Sequence, residues 1–209
     1  MKAFSTEFQD ELADLMRWRR DVRRFCADPV GEDDLAVCVE AMGLAPSVGL
    51  SEPWRVVRVE SAAARAAALA NFEAANAEAL SGYDGERATT YAGLKLSGMR
   101  EAPLQLAIFC DEDGAKGGGL GAGTMPEMRR YSVVTAVMNF WLAARARGLS
   151  VGWVSILDPV RLAADLRAEE GWSLVAYLCV GWPEEAHLDP ELERAGWEAR
   201  EAAPRILTR

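Results

Sequence analysis

Along the first twenty residues, apolar side chains at Phe4, Phe8, Leu12, Leu15 and Met16 return at the spacing of one helix face. With Ser5 or Thr6 as the cap, they predict an amphipathic helix over residues 5–18. The pattern recurs from Leu35 to Leu44. The Ala-rich stretch from Ser61 to Leu80 is a helix by propensity, closed by Gly82. A further helix is predicted from about Arg87 to Arg100, stopping ahead of Pro103, and a long one from about Pro126 to Arg147. Strand signals interleave with these. WRVVRVE (54–60) is Val-rich and alternating, and VGWVSIL (151–157) is of strand length. LQLAIFCD (104–111) and LVAYLCVGW (174–182) are unbroken apolar runs, which assigns them to the middle of a sheet, buried on both faces. Asp158 and Pro159 open a short helix in DPVRLAADL as N-cap and first helical residue. About four strands among six helices make an α+β layered domain.

A chain of 209 residues can bury a core of its own without dividing, so 1–209 is read as one domain. Its 23 Lys+Arg against 32 Asp+Glu give a formal net charge of −9, which disfavours nucleic acid and anionic membrane surfaces as partners. No stretch approaches about 18 consecutive apolar residues. The N-terminal MKAFSTEFQDELADL carries acids where a signal peptide needs a basic and then an apolar region. A soluble, cytoplasmic chain is expected. Cys26, Cys38, Cys110 and Cys179 have no CxxC spacing and sit mostly in apolar runs, as buried reduced thiols do. His187 is the sole histidine and lies in a polar stretch, so neither a metal centre nor a His-based triad is expected.

Against this acidic whole, RWRRDVRRF (17–25) is dense in arginine, the residue whose planar fork matches phosphate oxygens. Asp21 sits in its middle. Adjacent residues of an extended segment point to opposite sides, so Asp21 is expected to face away from the arginines beside it. The glycine run GAKGGGLGAGT (114–124) satisfies a dinucleotide fingerprint at Gly117, Gly119 and Ala122. It neither follows a strand tightly nor opens a helix, and a mobile loop or lid fits it better. In LAPSVGLSEPWRVVRV (44–59), small residues after a helix make a turn whose backbone can approach a flat ligand, although composition alone favours an ordinary helix-to-strand connection.

Together, the arginine-rich segment, the APSxxxxxPWR turn and a buried C-terminal strand ending in GWPEE resemble the flavin-binding nitroreductase family over nearly the whole chain. RRDVRRF, LKLSGMREAPLQLAIFCD, GTMPEMRRYSVVTAVMNFWLAARARGLSVGWVSILDP and VAYLCVGWPEE are similar to a flavin-fragmenting branch of it. That resemblance implies a mainly antiparallel or mixed sheet of four to five strands and a homodimer with flavin at the subunit interface. It also implies that reduced FMN is the substrate, cleaved with O2 to 5,6-dimethylbenzimidazole and erythrose 4-phosphate. A separate flavin reductase would supply the reduced FMN.

Carried onto this sequence, the resemblance gives Arg19, Arg20 and Arg23 the FMN phosphate, with Arg200 as a C-terminal contact. Val22 and Ile156 border the flavin, and Ser47, Val48 and Gly49 form the turn beside its ring. Asp21 and Ser155 are the catalytic candidates, a base or proton relay and a proton-donating hydroxyl. Leu94, in YAGLKLSGM, belongs to the region over the flavin, and residues 85–125 are a candidate lid that would exclude water. Glu52 departs from the Gln common before Pro-Trp in this family, and is expected to face solvent. The alternative reading is an NAD(P)H-dependent FMN reductase of nitro compounds or quinones. Such enzymes usually carry a small hydroxyl where this chain has Asp21.

Overall fold

The structure is a computed structural model, described for residues 2–94, 98–201 and 203–209. Helix α1 (Thr6–Trp18) starts at Ser5, whose hydroxyl accepts the Phe8 N–H at 3.3 Å. α2 (Glu32–Gly43) leads through a 3₁₀ turn at Val48–Leu50 into β1 (Trp54–Arg58). α3 (Ala62–Ser81) is capped by Ser61 and ends at Gly82. Beyond it come α4 (Gly85–Gly93), α5 (Gly98–Glu101) and β2 (Leu104–Asp111). α6 (Met128–Ala146), β3 (Ser150–Val154), α7 (Pro159–Asp165), β4 (Trp172–Gly181) and α8 (Glu191–Arg194) complete the order.

The four strands form one sheet in the order β1-β2-β4-β3, every ladder antiparallel. The two unbroken apolar runs, β2 and β4, are indeed its central strands. Their alternation divides the core in two. Leu106, Ile108, Leu178 and Val180 face α2 and α6, whereas Ala107, Phe109, Tyr177 and Cys179 face α3 and α7. Among the described residues, the mixed-sheet alternative survives only as one parallel bridge, between Asp21 and Val151.

Two predicted elements end differently. The helix placed at 87–100 begins at Gly85 and stops at Gly93, Leu94 turning extended (ψ 115°), and α5 starts afresh at Gly98. Glycine in a helix interior costs about 1 kcal/mol against alanine, so the two glycines favour a break. Residues 95–97 of that prediction lie outside the described residues. Strand β3 stops at Val154 rather than 157, because Asp158 turns its carboxylate onto the Val160 and Arg161 N–H groups, at 3.0 Å each, to cap α7.

Candidate active site

Helix α1 gives way at Arg19, an extended residue (φ −70°, ψ 114°) whose N–H still reaches the Leu15 carbonyl. From there the arginine-rich segment runs beside β3, the Val22 N–H donating to the Val151 carbonyl at 3.1 Å. Gly152 permits the approach. A Cβ there would stand 2.2 Å from the Val22 carbonyl oxygen, where no side chain fits. So placed, Asp21 accepts the Trp153 N–H through Oδ1 at 2.8 Å and holds Oδ2 3.6 Å from Arg23 Nε.

This corrects the expected division of the segment. Asp21 does not turn away from the arginines, because residues two apart share a side and Arg23 therefore falls beside it. Its carboxyl is held above the ordinary value, chiefly by its recessed position. The Trp153 N–H and Arg23 oppose the shift and Glu191 adds to it. In the single chain 41% of the side chain still meets solvent, so this is a groove and not the core.

Among the described residues, three cavities meet at Asp21; the smallest, of about 40 Å³, is walled by Glu185, Asp189 and Glu191 as well as by arginines, and the remaining two differ in character. One, of about 100 Å³, has an apolar floor of Val22, Phe72, Met99, Val154 and Ile156, with Asp21, Arg23 and Ser155 on its lining. The other, of about 240 Å³, gathers Arg19, Arg20, Arg23 and Arg200 against the first turn of α8. Arg19 lies over the Trp141 ring at 4.8 Å. Arg20 is fixed by the Leu188 carbonyl at 2.6 Å and the Arg19 carbonyl at 2.7 Å. Burial lowers the proton affinity of both guanidinium groups, and repulsion from Arg200 lowers it further. Cations crowded and partly desolvated in this way are arranged for a multiply charged anion.

The remaining candidates lie elsewhere in the chain. Leu94 lines a further cavity, of about 580 Å³, which shares Phe72 with the apolar-floored one. Ser47, Val48 and Gly49 line none of these. They sit near the N-terminal end of α6, where the Val48 N–H donates to Ser132 Oγ at 3.0 Å. The glycine run packs onto them: Gly49, at φ 57°, would carry a Cβ 2.8 Å from the Leu120 carbonyl oxygen and 2.9 Å from that of Gly117. Glu52 pairs with Lys116 of the same run. One chain thus brings Asp21, Val22, Arg23, Ser155 and Ile156 together and keeps the Ser47–Gly49 turn apart from them.

The family model described as "Nitroreductase family" matches residues 16–182, from the arginine-rich segment to the end of β4. The chain belongs to the nitroreductase family. Within it, a 5,6-dimethylbenzimidazole synthase of Rhodospirillum rubrum is 54% identical over 201 residues, covering 96% of this chain and 95% of that protein. A 5,6-dimethylbenzimidazole synthase of Rhodobacter capsulatus is 49% identical over 195 residues, covering 93% and 94%. Among solved structures, iodotyrosine deiodinase bound to FMN and 3-iodo-L-tyrosine superposes with a TM-score of 0.73 at 21% identity, over 95% of this chain and 97% of that one. A BluB-like flavoprotein from Clostridium difficile 630 gives 0.64 at 19% identity, over 93% and 94%. At such identities the solved structures speak for the nitroreductase fold alone.

Sequence reasoning missed several lining residues of this nitroreductase-family site. Phe72 is the only aromatic in the Ala-rich α3 and is 5% exposed, a signal that was available. Met99 and Gly98 lie in a segment already singled out by resemblance, but nothing in their spacing marks them. Trp153 acts through its backbone N–H, to which side-chain identity gives no clue.

Proposed function

We propose that this chain is a 5,6-dimethylbenzimidazole synthase that consumes reduced FMN and O2 and releases erythrose 4-phosphate. The observation carrying this reading is the near full-length identity, 46–54%, with three proteins of that name. The residues fit the ligand: a crowd of guanidinium groups lies next to an apolar floor, as a phosphate tail joined to a flat ring requires.

The reduced flavin supplies the electrons and the carbon skeleton of the product. Arg19, Arg20, Arg23 and Arg200 bind its phosphate, and their forks fix the ribityl chain between the apolar-floored cavity and the arginine cavity. Val22, Phe72 and Ile156 exclude water from the ring. Asp21, at the junction, accepts a proton from the ribityl side. A carboxyl held above its ordinary value is a stronger base than a solvated one and takes up that proton more readily, which suits a general base. Ser155 donates a hydrogen bond without adding charge.

Small-molecule sites usually enclose about 300 Å³ or more, and each cavity at Asp21 is smaller. A second copy of the chain completes the site in this proposal, bringing its own Ser47–Gly49 turn to the flavin. A separate reductase delivers the reduced FMN. The test is to mix purified protein with chemically reduced FMN in air and separate the products by chromatography. Formation of 5,6-dimethylbenzimidazole is expected. Intact oxidised FMN, with rapid NAD(P)H consumption on nitroaromatics, would instead make the chain a conventional reductase.

A further inference from the structure

Arg200 belongs to the C-terminal segment after α8, and something must hold that segment in place for its guanidinium to face Arg19 and Arg20. After α8 the chain reverses at Gly196 (φ 71°), and the Trp197 N–H donates to the Leu192 carbonyl at 2.8 Å. The indole of Trp197 then enters a cage at the α3–α4 junction. It meets Tyr83 edge-on, centroids 5.4 Å apart at 88°, and Tyr91 at 6.1 Å and 57°. Arg87 covers it, Cζ 4.6 Å from the ring centroid. The cage is itself fixed: Tyr91 is 7% exposed and its hydroxyl donates to Asn76 Oδ1 of α3 at 2.8 Å. Three residues beyond the indole, the Arg200 N–H returns to Glu193 Oε1 at 3.4 Å. The segment is tied at both ends, with Glu191, Leu192 and Arg200 forming one wall of the arginine cavity.

We propose that Trp197 is a positioning residue for phosphate recognition: its indole, clamped by Tyr83, Tyr91 and Arg87, sets the wall that presents Arg200. The proposal rests on the reading of the arginine cavity as the FMN phosphate site. Its chemistry distinguishes ligands. A ligand with a terminal phosphate depends on the Trp197 clamp, and the same flavin without phosphate does not.

The test measures binding of oxidised FMN and of riboflavin by quenching of flavin fluorescence. Arg200→Ala should weaken FMN about tenfold or more, the range of a charged hydrogen bond, and leave riboflavin within about twofold. Trp197→Ala should weaken FMN by a similar factor, again sparing riboflavin, with Trp197→Phe restoring most of the loss. In the Arg200→Ala background the Trp197→Ala change should add less than about twofold, because the two act through one contact. Arg87→Gln, a change at an exposed residue that leaves the cage aromatics in place, should weaken FMN about two- to fivefold and serves if Trp197→Ala does not fold. Equal losses for FMN and riboflavin in Trp197→Ala, or full additivity with Arg200→Ala, would overturn the clamp. No effect of Arg200→Ala on FMN would overturn the phosphate reading beneath it.

Discussion

Asp21 carries the heaviest chemical assignment of any side chain in the protein, and its surroundings dictate how it should respond to change. Asp21→Asn keeps the shape and the acceptor for the Trp153 N–H but removes the base. Formation of 5,6-dimethylbenzimidazole should fall by about 10²–10⁴-fold while FMN binding persists. The wild-type rate should decline as pH falls through a limb displaced above the ordinary aspartate value of 3.8, and that limb should be missing from the variant. Stability has the complementary sign. The folded chain keeps the Asp21 proton to higher pH than the unfolded chain, so the carboxyl destabilises the fold increasingly as pH rises through that window. Thermal denaturation at several pH values should therefore show Asp21→Asn gaining on the wild type from acid towards neutral pH. The arginines of the segment were legible because their forks announce an anion. The Asp21–Arg23 pair was not, since reading adjacent residues as opposed overlooked that alternate residues coincide.

At the scale of elements, two buried devices hold the site in register. Asn71 of α3 is 1% exposed and exchanges hydrogen bonds with the Asp158 backbone, donating to its carbonyl at 3.0 Å and accepting its N–H at 2.9 Å. It thereby fixes the loop that carries Ser155 and Ile156. Asn71→Ala leaves two backbone groups unsatisfied, about 1–3 kcal/mol each at most. A drop of several degrees in Tm is expected by calorimetry, with a lower yield of product per flavin oxidised. Gly152 is the second device. A methyl group at 152 displaces Val22 and with it Asp21, so Gly152→Ala should lower activity at least as much as Asp21→Asn and weaken FMN binding besides, checked by the same assays. Central strands, caps and the long α6 were readable from runs of apolar residues and from Ser61 and Asp158. The break between α4 and α5 was not, because two glycines in an otherwise helical pattern lower its stability without dictating where it fails.

For the molecule as a whole, the outlying feature is α1, in which no residue is buried although Phe8, Leu12 and Met16, with Phe4 just ahead of the helix, form one stripe. These side chains are 53%, 42%, 37% and 49% exposed, more than a solvated helix face gains from. A second copy covering this stripe accords with the proposed two-chain site. Leu12→Glu should shift the protein towards monomer in analytical ultracentrifugation and reduce FMN affinity in parallel. Retention of tight FMN binding by a proven monomer would remove the need for two chains. The Ser47–Gly49 turn could be assigned from sequence only through resemblance, because in the proposed two-chain site its relation to the flavin would belong to the assembly and not to one chain's pattern.

The hydrogen bond from Val22 to Val151 has a consequence beyond catalysis. Strand β3 stands at the margin of the sheet, and an uncovered margin is a template on which other chains can add strands. The arginine-rich segment shields part of that margin with its own backbone and fringes it with positive charge. Substitutions that unseat the segment therefore endanger solubility together with turnover, and inactive variants of this class should be recovered disproportionately as aggregates.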